Sequence, residues 1–208
     1  MNVKTVNLGV INENCYLISS DSAAIIVDPG YYSDEISDFL KNNSDKHRLI
    51  LLTHCHFDHI GAANKIAVEN GVKIAIGKLD ADGLHDPRLN LSASFRAFLE
   101  PFKADILLEN NEEFSVGDID VKVIFTPGHT VGSVCYLIGG ALFSGDTLFY
   151  ESYGRTDFPG GSEDDMQKSF YYLTSSLPAD TKVYPGHDCP TTISHEIDYN
   201  PIGYMNLL

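Results

Sequence analysis

Five apolar runs in this chain each stop at a tight turn that carries an Asp or a His. Ile25–Val27 runs into Asp28-Pro29-Gly30, and Ile50–Leu52 into Thr53-His54-Cys55-His56. Val121–Phe125 leads to Pro127-Gly128-His129, Ala141–Ser144 to Gly145-Asp146, and Val183-Tyr184 to Pro185-Gly186-His187. Short apolar runs bounded by turn residues read as buried strands. Ligand-type side chains at the strand ends of a layered α/β fold can meet in one cleft, on loops held by a rigid scaffold.

The rest of the chain supplies the layers. Val3–Val6 and Cys15–Ser19 read as strands, Ser33 caps a short helix to Asn42, and Arg48–Leu52 is a strand. The spacing predicts a helix over Gly61–Asn70, closed by Gly71 as a C-terminal cap. Val72–Ile76, Ile106–Leu108, Phe114–Val116, Ile119–Phe125, Ser133–Ile138 and Lys182–Tyr184 read as strands, with a hairpin turn at Gly139-Gly140. Asp164–Ser176 reads as an amphipathic helix, and residues 77–104 as an irregular flap. Strands and helices occur in both halves, which fits an α/β chain of two sheets packed face to face with helices outside. Residues 1–208 are read as one domain.

The stretch His54-Cys55-His56-Phe57-Asp58-His59 carries the strongest chemical signal. At strand period His54 and His56 share a face and Cys55 points the other way. Asp58 and His59, in the turn before the Gly61 helix, do not easily share that face. His129 can complete a trio with His54 and His56, and His187 one with Asp58 and His59. Asp146, with two carboxylate oxygens, can bridge two ions. Clustered imidazoles repel when protonated and occupy helix-start positions that Ser or Asn would fill better, so a metal role outweighs a solvated loop. Nitrogen and oxygen donors suit zinc, iron or manganese rather than calcium. Asp28 is read as orienting a ligand loop by hydrogen bonding. His47, His85 and His195 are read as solvated.

Charge and composition remove several classes. The formal net charge is −15, which repels phosphate backbones and anionic lipid, so neither nucleic acid nor a membrane is an expected partner. The N-terminus lacks a basic segment followed by an apolar core, and no apolar run is long enough to span a bilayer. Cys15, Cys55, Cys135 and Cys189 show no paired spacing, which suits a reducing, cytoplasmic setting.

Thr53 to Gly61, followed in order by His129, Asp146 and His187, resembles the metallo-β-lactamase superfamily over essentially the whole chain. The resemblance implies an αββα four-layer sandwich with a dinuclear site at one edge of its sheets. Asp146, where zinc β-lactamases tend to carry Cys or lack a bridging group, speaks against antibiotic hydrolysis. Gly145-Asp146-Thr147-Leu148-Phe149, Gly154-Arg155-Thr156-Asp157 and Tyr184–Asp188 resemble the glyoxalase II-like branch, as do Thr191-Thr192-Ile193, Glu196 and Asn200-Pro201. That branch carries a further helical domain whose basic residues hold glutathione, yet no Lys or Arg follows His187.

The expected activity is therefore hydrolysis of a small acyl-thiol by a hydroxide bridging two divalent metals, zinc first among them. Asp58 is the catalytic candidate, orienting that hydroxide and accepting its proton. Arg155 either holds a substrate carboxylate or pairs with Asp157 to shape its loop, and the second role is favoured. Phe57, Phe149, Tyr150, Tyr153 and Phe158 are candidates for the cleft wall. The alternative is a persulfide dioxygenase-like oxygenase with one iron at His54, His129 and Asp146; such enzymes share a segment similar to Gly154–Phe158.

Overall fold

The computed structural model describes residues 1–205. Its first sheet is formed by β1 (Asn2–Leu8), β2 (Glu13–Ser19), β3 (Ala23–Val27), β4 (His47–Leu52), β5 (Lys73–Gly77) and β6 (Ile106–Leu108), adjacent in chain order. The second holds β7 (Glu113–Val116), β8 (Ile119–Phe125), β9 (Val134–Ile138), β10 (Ala141–Gly145), β11 (Lys182–Pro185) and β12 (Thr191–Thr192), again adjacent in order. Helices α1 (Asp34–Asn42), α2 (Phe57–Ile60), α3 (Ala63–Asn70), α4 (Ser92–Phe95), α5 (Glu163–Ser176), α6 (Ile193–Tyr199) and α7 (Ile202–Met205) complete the chain. The expected αββα sandwich is what forms.

Side-chain alternation along the strands builds the layers. Ile25, Val27, Leu49 and Leu51 point between the sheets, where they meet Val121, Val123, Tyr136 and Phe143. Their neighbours Ile26, Ile50 and Leu52 point outward onto Ile36 and Leu40 of α1 and Ile66 of α3. On the far side Ile124 and Leu142 meet Met166, Phe170 and Leu173, one face of α5. These strands are apolar on both faces because both faces are covered. Ser33 caps α1 by accepting from the Glu35 amide, and Ser162 caps α5 by accepting from the Asp165 amide. Gly71 closes α3 at φ +63, the left-handed conformation expected of it.

Strand direction places the five turns. β3 and β4 are parallel, so Asp28 and the His54 turn leave the same edge of the first sheet. β8 and β10 are both antiparallel to β9, and β11 is parallel to β10. The turns bearing His129, Asp146 and His187 therefore leave one edge of the second sheet. The Val134 amide donating to Thr53 O (2.8 Å) and the Tyr136 hydroxyl donating to Leu52 O (2.7 Å) join those two edges.

The helix expected over Gly61–Asn70 forms as α3, starting two residues later at Ala63. The Asp28-Pro29-Gly30 loop packs on its start: the Ala62 amide donates to Pro29 O (3.0 Å), and the Gly30 carbonyl lies where a Gly61 side chain would be. Asp58 and His59, expected in a turn, sit in a separate helical turn, Phe57–Ile60. The last strand and the two C-terminal helices were not anticipated; Glu196 anchors them, accepting from Thr191 Oγ1 (2.6 Å) and Asn200 Nδ2 (2.8 Å). Among the described residues, no helix is long and apolar enough to cross a membrane.

Candidate metal centre

His54 and His56 follow β4 on one face with ring centroids 4.7 Å apart, while Cys55 is buried in the helix-side core. His129 arrives from the end of β8 and brings Nε2 to 2.8 Å from His56 Nδ1; its ring lies 4.9 Å from that of His54. Asp58 Oδ2 lies 3.6 Å from His59 Nε2 and 3.5 Å from His187 Nε2. Each trio offers three donor atoms within 4.8 Å of one another. Asp146 stands between them: Oδ1 is 3.3 Å from His59 Nε2, and Oδ2 is 3.4 Å from His129 Nε2 and 3.7 Å from His187 Nε2. All seven residues singled out in the sequence converge on one centre.

The donors fit a cation better than they fit one another. His54 Nε2, His59 Nε2 and Asp146 Oδ1 are buried and lack a hydrogen-bond partner of good geometry. Buried polar atoms left unpaired are costly, and a cation held among several of them would satisfy them together. Burial, then the imidazoles beside it, drives the His54 pKa far below normal. Burial, followed by His129, brings His56 down to about 3. His59 and His187 go the other way: burial opposes their charge, but Asp146 and Asp58 raise both above the ordinary imidazole value. Burial also opposes ionisation of Asp58 and Asp146, and His59 chiefly overcomes it, holding both carboxyls below their usual range.

A third set, Asp28 with His54 and His59, also brings three donors close. Asp28 is already engaged. Its Oδ1 accepts from the Thr53 amide (2.7 Å), and its Oδ2 accepts from Thr53 Oγ1 (2.6 Å) and pairs with His59 Nδ1 (3.0 Å). Thr53 Oγ1 in turn lies 3.0 Å from His54 Nδ1. One carboxylate thus sets the ring orientation of a histidine in each trio, the orienting role expected of it. Asp28 does this from φ 51, a left-handed conformation that Asp tolerates better than most residues.

Two further buried side chains hold the ligand turns and were not found by sequence reasoning. Asp80 accepts from the Cys55 amide (2.9 Å), Thr130 Oγ1 (2.8 Å) and the Gly132 amide (2.8 Å), tying the His54–His56 turn to the loop after His129. Asn14 holds the His187 turn: its amide donates to Gly186 O (2.8 Å), and its Nδ2 to Pro185 O (3.0 Å) and Asp188 O (2.9 Å). The local signal for Asp80 was slight, an acid inside an irregular stretch; Asn14 had none.

The centre opens into a cleft of about 620 Å³. Phe57, Phe149 and Phe158 line it as expected. Tyr150 and Tyr153 do not: Tyr150 stacks on His195 and Tyr153 packs against the core under α5. His195, read as solvated, is half-buried and also pairs with the exposed Glu151 (3.0 Å). His47 and His85 are exposed, as expected. Arg155 grips both Asp157 oxygens at 2.6 Å, the loop-shaping role, and its carbonyl lies 2.7 Å from His129 Nδ1. The walls supplied by Val10, Ile11, Tyr31, Leu91, Phe95 and Ala97 were not anticipated.

A two-sheet sandwich with a His/Asp cluster at one sheet edge is the architecture of a metal-binding hydrolase superfamily, and the sequence comparison agrees. A family model described as the metallo-beta-lactamase superfamily matches residues 8–187, and the chain belongs to that family. The probable metallo-hydrolase YqgX of Bacillus subtilis (strain 168) is 35% identical over 204 residues, with 97% of each chain covered. Among solved structures, the B3 metallo-beta-lactamase BLEG-1 superposes with a TM-score of 0.88 at 37% identity, covering 96% of this chain and 98% of that one. TTHA1623, solved in a di-iron-bound form, gives 0.84 at 30% identity, covering 96% and 99%. ETHE1 from Myxococcus xanthus gives 0.77 at 27%, covering 97% and 84%.

Proposed function

We propose that this chain is a dinuclear metal-dependent hydrolase of thioesters. His54, His56 and His129 would hold one ion and Asp58, His59 and His187 the other, with Asp146 shared. The observation that carries the reading is the meeting of both trios at Asp146 on the floor of an apolar cleft. When bound, such ions supply positive charge for a carbonyl oxygen and lower the pKa of water from 15.7 toward about 7. Asp58 keeps its carboxylate ionised at the cleft floor, placed to orient the attacking water and accept its proton. Asp28 and Asp80 keep the ligand rings and turns in place during turnover. A thiol, with a free pKa of about 8.5, departs as an anion without help from an acid.

The test is elemental analysis of protein purified without added metal, followed by assay of the metal-loaded chain on thioesters. Two ions per chain and thioester turnover are expected. One iron per chain with persulfide-dependent oxygen uptake would support the oxygenase alternative instead. The likeness to BLEG-1 makes a β-lactam the necessary control. Lactam turnover faster than that of every thioester tried would overturn the reading.

The protonation pattern predicts an unequal pH dependence for the two sites. His54 and His56 are already neutral near pH 6, so the first trio does not need to release protons from them to take a cation. His59 and His187 have raised pKa values and still carry protons there, so binding must displace them. The first equivalent of zinc is expected to bind at pH 6 with little proton release from these rings. The second should tighten as pH rises and release protons. Calorimetry in two buffers of different ionisation enthalpy reads both, and equal release at the two steps would contradict the assignment.

A further inference from the structure

We propose that the cleft selects thioesters with an apolar acyl group and an uncharged thiol over glutathione thioesters. This rests on the thioester reading. Phe57 and Phe95 have ring centroids 5.3 Å apart, and Phe95 and Phe158 6.3 Å. Phe158 continues to 5.7 Å from the His56 ring, so an aromatic wall runs from the rim to the ligands. Phe149 stands edge-on 5.8 Å from His187. Val10 and Ile11, at the tip of the β1–β2 hairpin, line the same cleft and are 93% and 48% exposed; Phe95 is 55% exposed. Large apolar side chains left in water around one concavity mark a binding surface.

The charges lining the cleft weigh against glutathione. Arg155 is the one Lys or Arg lining this cleft, and both arms of its fork are on Asp157 while its guanidinium lies 4.1 Å from the Phe158 ring centre. Among the described residues that line the cleft, the ligands apart, no positive side chain is left to meet the two carboxylates of glutathione. The net charge of −15 adds repulsion at longer range. A carboxylate pressed against these rings would lose its hydration with no partner in return. An acyl chain gains about fourfold in binding for each methylene buried.

In the reaction, the oxygen of water bonds to the acyl carbon and the C–S bond breaks with its electron pair going to sulfur. One water proton ends on the thiol and the other leaves with the carboxylic acid.

The experiment uses the zinc-loaded full chain and two thioethers, S-hexyl-N-acetylcysteamine and S-methylglutathione, with binding read by calorimetry. Hydrolysis is read in parallel on butanoyl- and hexanoyl-N-acetylcysteamine and on S-lactoylglutathione. The hexyl thioether should bind at least about tenfold tighter, and kcat/KM should rise from butanoyl to hexanoyl. Phe95→Ser, a change at an exposed rim position, should flatten that rise and weaken hexyl binding with circular dichroism unchanged. Glutathione compounds bound or hydrolysed as well as the apolar ones would overturn the selectivity and leave the hydrolase reading intact. Tight hexyl binding with no thioester turned over would do the reverse.

Discussion

On the proposed function, Asp146→Ala is expected to lower thioester turnover at least about a thousandfold and to reduce bound metal below two ions per chain. Asp146 lies within 4 Å of donor atoms from both trios, through Oδ1 to His59 and Oδ2 to His129 and His187. A metal's stabilisation of developing charge is worth several kcal/mol, and each 1.36 kcal/mol is tenfold in rate. The truncation leaves His54, His56 and His129 in place, so one ion should remain. Elemental analysis beside a steady-state assay separates the two effects, with near-ultraviolet circular dichroism as the check on folding. A variant that retains two ions and more than a tenth of the activity would remove Asp146 from the centre of the mechanism.

Gly30→Ala costs about 3–5 kcal/mol of stability and displaces Asp58. A Cβ at Gly30 would overlap the Asp58 carbonyl oxygen, which is backbone held in α2 and cannot rotate away. The Gly30 carbonyl itself fills the side-chain position of Gly61, so the two loops have no slack on either side. Gly71→Ala is the control. Gly71 has a positive φ of 63 but open space around it, and its replacement should cost only about 1 kcal/mol. Denaturant unfolding of the metal-free proteins reads both. Equal costs would mean that the close approach of Gly30 to the Asp58 carbonyl is relieved by a small shift of the loops.

Much of this protein is determined locally and is therefore visible in its sequence. Short apolar runs between turn signals read as strands, and β3 and β10 are buried on both faces. The ligand residues stood out because His54, His56, Asp58 and His59 crowd six positions, and because period 2 separates the faces of a strand. The caps at Ser33 and Gly71 followed from backbone chemistry confined to a few residues. The contrast is with contacts between distant segments. Thr53 and Asp28 are 25 residues apart, Thr130 and Asp80 are 50 apart, and Asn14 reaches Asp188 across 174. None leaves a local pattern, since a buried carboxylate that ties two loops looks in sequence like any surface acid.

The same reason accounts for the start of α3 and for the cleft. The Asp28-Pro29-Gly30 loop arriving from β3 packs on Gly61 and Ala62, so the helix expected from Gly61 begins at Ala63. Val10 and Ile11 look like an ordinary turn until β1 and β2 deliver them to the mouth of a site built from residues 43 to 177 positions later. By itself the sequence determined which atoms can hold metal, since donor chemistry belongs to the side chain. Only the tertiary structure brought those donors within reach of one another and decided what kind of wall surrounds them, because both depend on which strand edges meet.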